Sequence, residues 1–272
     1  MAKGTLCVIA CPMLEDELIY GLQKDADPKN VFVLKNEYNG SLRRKLDKAG
    51  IGYSMLDEWD FMHDAADLDP ESFNVVIRMK SLGLHAEPKE LKSNLEDELK
   101  MLNGKVDSVA MYYGMCGNYG WDLSKWAEEN VDFPVYVFRD CKGQVCDDCV
   151  GVAVGGRDMY FKLIKRYTGV MLLTPAVATN WDDFLAASDM GASARNLPKD
   201  ERRAEMKMIF QLCGYKQAVQ IDTGLEDRKE FDEAARDFSE NMGLELIQCE
   251  PGFVDLTPAN RLFEDAKSSL PA

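Results

Sequence analysis

Histidine is almost absent from this sequence, which has only His63 and His85 among its 272 residues. Such scarcity argues against catalysis by a Ser-His or Cys-His pair. The sequence also lacks a P-loop, a full GxGxxG fingerprint and a GxSxG nucleophile elbow. No apolar run reaches the roughly 18–20 residues of a membrane-spanning helix, and the first residues carry no signal-peptide cleavage site. We therefore expect a cytoplasmic protein without a membrane partner.

Positive charge is also in short supply. The chain has 32 Lys and Arg residues against 47 Asp and Glu residues, for a net charge of −15. Binding to nucleic acid or to an anionic membrane surface needs basic residues that neutralise phosphates. The charge balance therefore excludes nucleic acid as an expected partner.

Cysteine, by contrast, is plentiful. The eight cysteines are Cys7, Cys11, Cys116, Cys141, Cys146, Cys149, Cys213 and Cys249. Without an export signal, a disulfide framework is not expected, and metal ligation or thiol chemistry is the sharper interpretation. Because histidine is scarce, any metal site must depend mainly on sulfur.

Short apolar runs alternate with helical patterns along the chain. Runs at 5–10, 31–34, 74–79, 108–113, 135–138, 170–173, 218–221 and 244–249 predict strands buried on both faces. Amphipathic patterns at 88–102, 157–167, 198–213 and 226–243 predict helices, the last ending at Gly243. The pattern predicts an α/β fold with a mostly parallel, Rossmann-like sheet and helices on both faces. We expect a single α/β domain over residues 1–272, with a subdomain break near residue 170 as the alternative.

Several cysteines follow predicted strands directly. Cys11 follows the first strand, Cys116 follows the strand at 108–113, and Cys141, Cys146 and Cys149 follow the strand at 135–138. Ligands of open α/β sheets bind beyond the carboxyl ends of the strands. The spacing therefore predicts a metal site at this edge with Cys11, Cys116 and Cys149 as ligands. The remaining Cys7, Cys213 and Cys249 lie within apolar patterns and are predicted to be core residues.

The segment CDDC places Cys146 and Cys149 at a spacing that suits one metal ion or a reversible disulfide. The two intervening aspartates raise thiol pKa values, which disfavours an oxidant of the thioredoxin type. Cys141 and Cys146 are possible additional thiols of the site, and for Cys146 a spare or redox-active thiol and a metal ligand both stay open. His85, just before a predicted helix, is a candidate fourth ligand; the alternative is a helix-entry histidine bonded to backbone.

The segment GGRD at 155–158 opens a predicted helix. Free N–H groups there, together with Arg157, suit an anionic group such as a carboxylate or phosphate. The glycines also suit a tight turn, and Arg157 also suits an ion pair with a neighbouring acid such as Asp158.

Four segments resemble a known family: VIACPMLEDEL (8–18), GLHAEPKEL (83–91), YGMCGN (113–118) and DDCVGVAVGGRDMY (147–160). They are similar to domain-of-unknown-function family 1638, and the resemblance runs from Leu6 to about Trp181. Carried over by position, the family motifs mark Cys11, His85, Cys116 and Cys149, with Arg157, Tyr160 and Asn118 as candidates for substrate binding. This chain departs from the family at Asp147, where a histidine is usual, and in its additional Cys141 and Cys146.

The resemblance implies a setting in one-carbon metabolism, because family members accompany corrinoid proteins and methyltransferases. We therefore expect a Cys-ligated metal-site protein that assists or catalyses methyl transfer, in the second case as a metal-dependent methyltransferase. Zinc is the expected metal, with an iron–sulfur cluster as the alternative and a corrinoid as a further contact. The expected partners are a small methylated or anionic molecule and a corrinoid protein or methyltransferase. The alternative function is an accessory protein that delivers a metal, cluster or corrinoid, or reductively activates one, without turnover of its own.

Overall fold

The structure is a computed structural model, and it describes residues 2–63, 66–82, 88–114, 121–188, 193–194 and 196–272. Within these ranges the strands are β1 (Gly4–Ala10), β2 (Asn30–Leu34), β3 (Ser54–Leu56), β4 (Phe73–Met79), β5 (Ser108–Tyr112), β6 (Val135–Val137), β7 (Val170–Leu173), β8 (Gln217–Gln220) and β9 (Glu245–Gln248). Every pairing between these strands is parallel. The predicted parallel α/β class is therefore confirmed.

Helices connect the strands. They are α1 (Glu15–Lys24), α2 (Gly40–Lys48), α3 (Glu58–Met62), α4 (Pro88–Met101), α5 (Leu123–Asn130), α6 (Cys149–Ala153), α7 (Arg157–Arg166), α8 (Pro175–Thr179), α9 (Trp181–Ala187), α10 (Lys199–Leu212), α11 (Arg228–Met242) and α12 (Thr257–Ser268). A short 3-10 helix, Pro12–Leu14, precedes α1. As predicted, Gly243 ends α11 in the left-handed conformation, with φ of 68°.

The strands form two sheets. The first has six strands in the order β3-β2-β4-β1-β5-β6, and the second has three in the order β7-β8-β9. In the first sheet β1 lies between β4 and β5, so the chain leaves β1 toward one side of the sheet and leaves β4 toward the other. Such a change of direction opens a crevice at the carboxyl ends of the central strands.

Helices cover both faces of the first sheet. On one face Val8 and Tyr112 belong to an apolar cluster with α1, α2 and α12. On the other face Ile9 and Met111 belong to a cluster with α4 and α5. Successive strand residues point to opposite faces of the sheet. Because helices cover both faces, residues of either orientation are buried, and the strands are apolar throughout.

The second sheet shares a core with the first. The cluster that contains Ile9 also contains Leu173 of β7, Ala218 of β8 and Phe238 of α11. After β9 the chain returns to the first sheet, where α12 packs against α1, β5 and β6. Val170, near which a subdomain break was the alternative to a single domain, is the first residue of β7 and of the second sheet.

One strand and one cysteine differ from the sequence prediction. The strand β3 was not predicted, because three half-exposed residues give no apolar run. Cys213 was predicted to be a core residue and is exposed, since it lies just past the end of α10 as its C-cap. Cys7 is buried as predicted, and Cys249 is half-buried.

Candidate functional site

Cys11 lies at the carboxyl end of β1, between the ends of β4 and β5. Its backbone N–H donates to the Tyr112 carbonyl at 2.8 Å, and the Lys80 N–H donates to the Ala10 carbonyl at 2.8 Å. Pro12 then opens the short 3-10 helix, so the chain turns away from the sheet directly after the thiol. Cys11 is only 4% exposed and belongs to the same apolar cluster as Met13 of this turn.

The sequence continues from both flanking strands into the other predicted ligands. His85 follows β4, whereas Cys116 and Asn118 follow β5. These three residues lie outside the described part of the chain, which omits 83–87 and 115–120. Of the four predicted metal ligands, the structure therefore describes Cys11 and Cys149.

A cleft of about 460 Å³ opens beside Pro12, the residue that follows Cys11. Pro12, Ser81 and Leu82 line it from the carboxyl ends of β1 and β4. Asn180, between α8 and α9, and Asp183 of α9 line it from the other side. Helix α9 follows β7, so a helix from the second sheet covers the carboxyl edge of the first. This is the position at which open α/β sheets bind ligands.

Cys149 is the first residue of α6, and Asp148 is its N-cap. The Asp148 carboxylate accepts from the Gly151 N–H at 2.6 Å, which fixes the start of this short helix. Burial raises the pKa of Asp148, although the bonds from the Gly151 and Val150 N–H groups and from the Tyr160 hydroxyl oppose the rise. Cys149 itself is half-buried and packs against both apolar clusters of the first sheet.

A larger cavity of about 610 Å³ begins at Cys149. Its other walls come from α7, from the loop before β7, from β7 itself and from α8 and α9. The lining residues are Asp148, Cys149, Val150, Tyr160, Ile164, Tyr167, Thr168, Gly169, Val170, Met171, Leu172, Val177 and Phe184. Val177 and Phe184 face this cavity, whereas Asn180 and Asp183 of the same segment line the smaller cleft. Helices α8 and α9 thus separate two candidate binding spaces.

The structure brings two sequence-predicted site residues together in this cavity, Cys149 and Tyr160. Burial raises the pKa of Tyr160 to about 12, and the charges of Asp148 and Cys149 add to the rise. The Tyr160 hydroxyl therefore keeps its proton at neutral pH. It can donate a hydrogen bond to a ligand or to the Asp148 carboxylate, but it is a poor general base.

The CDDC pair is divided between two environments. Cys146 is buried in the apolar cluster formed by β1, β5 and α12, and it is not in a disulfide. Burial raises its pKa to about 12, and Asp140, Asp147 and Asp148 contribute to the rise. Cys141 is exposed in the turn between the bridged residues Arg139 and Val145. Neither additional thiol lines the cavity that Cys149 lines.

Arg157 begins α7 at the surface. Its guanidinium carbon lies 5.4 Å from the centroid of the Phe161 ring, and the side chain is exposed. The neighbouring Asp158 pairs with Lys142 at 2.5 Å. The ion pair of Asp158 is therefore made with Lys142, and anion binding by Arg157 stays a prediction.

The two glycines before Arg157 have a packing role. Gly156 has φ of 115°, and a Cβ atom there would lie 2.3 Å from the Asp140 Cβ. Gly155 has φ of 83°, and its Cβ would lie 2.5 Å from the Asp255 Cβ. Only glycine accepts both the backbone conformation and the close approach. This local packing favours the tight-turn interpretation of the glycine pair.

A buried ionic cluster lies beside the site, and no sequence pattern predicts it. Three consecutive acids at the start of α1, Glu15, Asp16 and Glu17, are all buried. Lys45 of α2 lies 2.5 Å from an Asp16 oxygen and 3.7 Å from a Glu15 oxygen. Lys45 also lies 3.1 Å from Glu226, in the loop before α11, so the cluster joins the two sheets.

Burial controls the protonation of this cluster. It raises the pKa of Glu15 to about 7 and that of Asp16 to about 6, against the opposing charge of Lys45. It raises the pKa of Glu17 to about 8, with a further rise from Asp16. For Lys45, burial lowers the pKa, but the surrounding carboxylates outweigh this effect and raise it. The lysine therefore stays charged while part of the cluster is protonated at neutral pH.

A third depression, of about 520 Å³, lies at the amino ends of the strands. Its acidic residues already hold backbone groups: Asp107 accepts from the Thr5 N–H at 2.7 Å, and Asp132 accepts from the Gly104 N–H at 3.1 Å. These contacts are structural, and the thiols lie at the opposite edge. The carboxyl edge is therefore the better candidate site.

The described side chains do not by themselves form a metal site. Among the residues that the structure describes, no group of three or more His, Cys, Asp or Glu side chains could hold a metal ion. The described thiols Cys11 and Cys149 are soft donors suited to zinc or iron. A ligand set that includes these thiols would need further donors from outside the described residues, and His85 and Cys116 stay the predicted ones.

The fold and these cavities define a parallel α/β protein with a thiol-bearing carboxyl edge. Over residues 79–259 the chain matches the family described as "Protein of unknown function (DUF1638)", and it belongs to this family. The match continues beyond Trp181, where the resemblance was expected to weaken, and it does not include the segment with Cys11. No curated protein and no solved structure matches the chain. In the described ranges, no helix is both long enough and apolar enough to cross a membrane.

Proposed function

We propose that this protein binds a transition metal through cysteine thiolates at the carboxyl edge of its first sheet and serves methyl transfer in one-carbon metabolism. The observation that carries the proposal is the position of Cys11. It is clamped at the end of the central strand, between β4 and β5, and the sequence continues from these strands into His85 and Cys116. Zinc is the proposed metal, with an iron–sulfur cluster as the alternative.

The chemistry of the ligands supports this role. Cys11, Cys116 and Cys149 would hold the zinc ion, which would keep these thiolates deprotonated at neutral pH and offer a position for substrate. In this chain the cleft beside Pro12 and the cavity beside Cys149 provide space for a substrate. Tyr160, protonated at neutral pH, donates a hydrogen bond there. The proposed partners are a small methylated molecule and a corrinoid protein or methyltransferase, in the cytoplasm.

Metal content tests the proposal directly. Protein purified without oxygen is expected to hold about one metal ion or one cluster per chain, measured by elemental analysis and a visible spectrum. The variants Cys11→Ala, Cys116→Ala and Cys149→Ser are each expected to lose most of it. Cys213→Ser is the matched control, because this thiol is exposed at the end of α10. Full metal content in Cys116→Ala would rule out the proposed ligand set.

The CDDC pair gives a sharper comparison. Cys146 is buried in the apolar cluster, so Cys146→Ser is expected to keep the metal that Cys149→Ser loses. Equal loss in both variants would instead make Cys146 a ligand.

Turnover separates the enzyme from the accessory protein. An enzyme consumes a methyl donor catalytically when it is alone with donor and acceptor. An accessory protein acts in proportion to its own amount and only with its client. Multiple turnovers of a methylated donor with a thiol or corrinoid acceptor are the expected result, and strictly stoichiometric action would assign the accessory role.

A further inference from the structure

The cavity beside Cys149 has an unusual charge balance for a site expected to take an anion. Among the described residues that line it, Asp148 is the only one with a charged side chain, and none is Lys, Arg or His. Arg157 does not line the cavity, and its guanidinium lies over the Phe161 ring. An anionic ligand would meet the Asp148 carboxylate without a compensating cation in a protein of net charge −15.

The walls of the cavity favour the opposite charge. Tyr160, Tyr167 and Phe184 contribute aromatic side chains, and Ile164 and Val177 contribute apolar surface. The Tyr167 hydroxyl accepts from the Glu250 N–H at 2.8 Å, so its polar end is already engaged. Aromatic faces attract cations through the ring quadrupole, most strongly where water is excluded. A volume of about 610 Å³ holds a ligand with an organic body, and not only a simple ion.

We propose that the cavity lined by Asp148, Cys149, Tyr160 and Phe184 binds an organic cation, with its alkylated charged group against the Asp148 carboxylate and the aromatic side chains. The organic cation would be the substrate of the proposed methyl transfer. Only its role as a substrate rests on the proposed function; its binding to the cavity does not. At this cavity we therefore propose a cationic ligand in place of the anionic one that the sequence suggested. The binding itself does not require a metal.

A pair of isosteric ligands tests the charge preference. Choline carries a trimethylammonium group, and 3,3-dimethyl-1-butanol has the same shape with a neutral carbon in place of nitrogen. By calorimetric titration, choline is expected to bind at least about tenfold more tightly than the neutral alcohol, within the range of a desolvated cation–π contact and a nearby carboxylate. Equal affinities, no binding of choline, or tighter binding of benzoate would each overturn the proposal.

The variant Asp148→Asn isolates the carboxylate. Asparagine is as good an N-cap as aspartate, so α6 keeps its start while the charge is lost. Choline affinity is expected to fall about tenfold, and the affinity for the neutral alcohol is expected to stay the same. Asp122→Asn is the matched control, since Asp122 is the exposed N-cap of α5 and accepts from the Lys125 N–H at 3.1 Å. Unchanged choline affinity in Asp148→Asn contradicts the assignment.

Two further measurements keep this inference distinct from the metal proposal. Phe184→Leu keeps the apolar wall and removes the ring, and it is expected to weaken choline binding several-fold without changing metal content. Chelator-treated protein is expected to keep its preference for choline over the neutral alcohol when it is titrated. Circular dichroism checks that this protein is still folded. Retained binding in a protein that never holds a metal would reject the metal site and leave the cation site standing. A normal metal content without any preference for choline would reject the cation site and leave the metal site standing.

Discussion

The Nζ atom of Lys45 lies 3.1 Å from the Glu226 carboxylate and thereby links α2 beside the first sheet to the loop before α11 beside the second. The same ammonium group contacts Asp16 and Glu15 at the start of α1. Helix α1 begins just after the turn that carries Cys11. The cluster therefore ties the candidate site to the packing of one sheet against the other.

Loss of Lys45 is expected to be strongly destabilising. Lys45→Met leaves Asp16, Glu15 and Glu226 buried without their cation, and removal of one partner from a buried ion pair costs about 3–5 kcal/mol. Urea unfolding of the variant measures the change in the free energy of unfolding. Lys48→Met is the control, because Lys48 pairs with Glu230 and Asp227 at the surface and its loss costs about 1 kcal/mol or less. Similar stabilities for both variants would show that the buried cluster does not hold the sheets together.

Stability is expected to fall as pH rises from about 5 to about 8. Burial raises the pKa of Glu17 to about 8, so the folded protein keeps a proton that the unfolded chain loses near the ordinary value of 4.5. Where the folded state binds more protons, a rise in pH favours unfolding. Glu15, with a pKa raised to about 7, acts in the same direction.

The variant Glu17→Gln tests this account, because it removes the titrating group and keeps its shape. The fall in unfolding free energy between pH 5.5 and pH 8.5 is expected to shrink by about 1 kcal/mol or more, from the rule that one pKa unit corresponds to about 1.4 kcal/mol. The exposed Glu128→Gln is expected to leave the fall unchanged. A pH profile of Glu17→Gln that overlays the wild type would show that Glu17 is ionised in the folded protein.

Gly156 is expected to tolerate no side chain. Gly156→Ala combines a φ of 115° with a Cβ atom 2.3 Å from Asp140. Gly143→Ala is the matched control, because Gly143 also has a positive φ, of 79°, but faces open space. Gly156→Ala is expected to lose about 2 kcal/mol more than the control in chemical unfolding, since overpacking adds about 1–3 kcal/mol to the backbone strain. Equal losses would mean that the Asp140 loop moves aside.

Thiol reactivity should follow burial. Cys141 and Cys213 are exposed, whereas Cys7 and Cys146 are buried and have pKa values raised to about 12 by burial. Alkylation of the native protein by iodoacetamide, followed by peptide mapping, is expected to label the exposed pair at least about tenfold faster, because the thiolate is the reactive form. All four thiols should react alike in guanidinium. Rapid native labelling of Cys146 would reveal an opening of the cluster around β1 and α12.

Much of this fold could be predicted from sequence, because apolar strands and amphipathic helices leave periodic signals. The eight predicted runs correspond to β1, β2 and β4 to β9, and the short, half-exposed β3 left no such signal. The division into two sheets was not predicted. Strands of either sheet have the same apolar pattern, and pairing depends on contacts between distant residues.

The candidate site was predictable only in part. Strand ends could be located, so Cys11 was correctly placed after β1 and Cys149 after β6, and Tyr160 was selected from a family motif; the roles of these residues stay predictions. The cavity around Cys149 depends on α8 and α9, whose packing has no local signal. The burial of Glu15, Asp16 and Glu17 could not be predicted either, because three consecutive charged residues ordinarily indicate a solvated helix start.

Helix α12 covers part of the first sheet but is made after the second sheet. Leu262, Phe263 and Ala266 cover the face formed by Val8 of β1 and Tyr112 of β5, yet they follow the whole second sheet in the chain. During synthesis, which proceeds from the N-terminus, α1 and α2 are available early to cover part of this face, but the part that α12 covers stays exposed until the second sheet has been made. The first sheet therefore cannot complete its core as an independent early unit. We expect the apolar surface that awaits α12 to be a point at which chaperone binding competes with aggregation of the nascent chain.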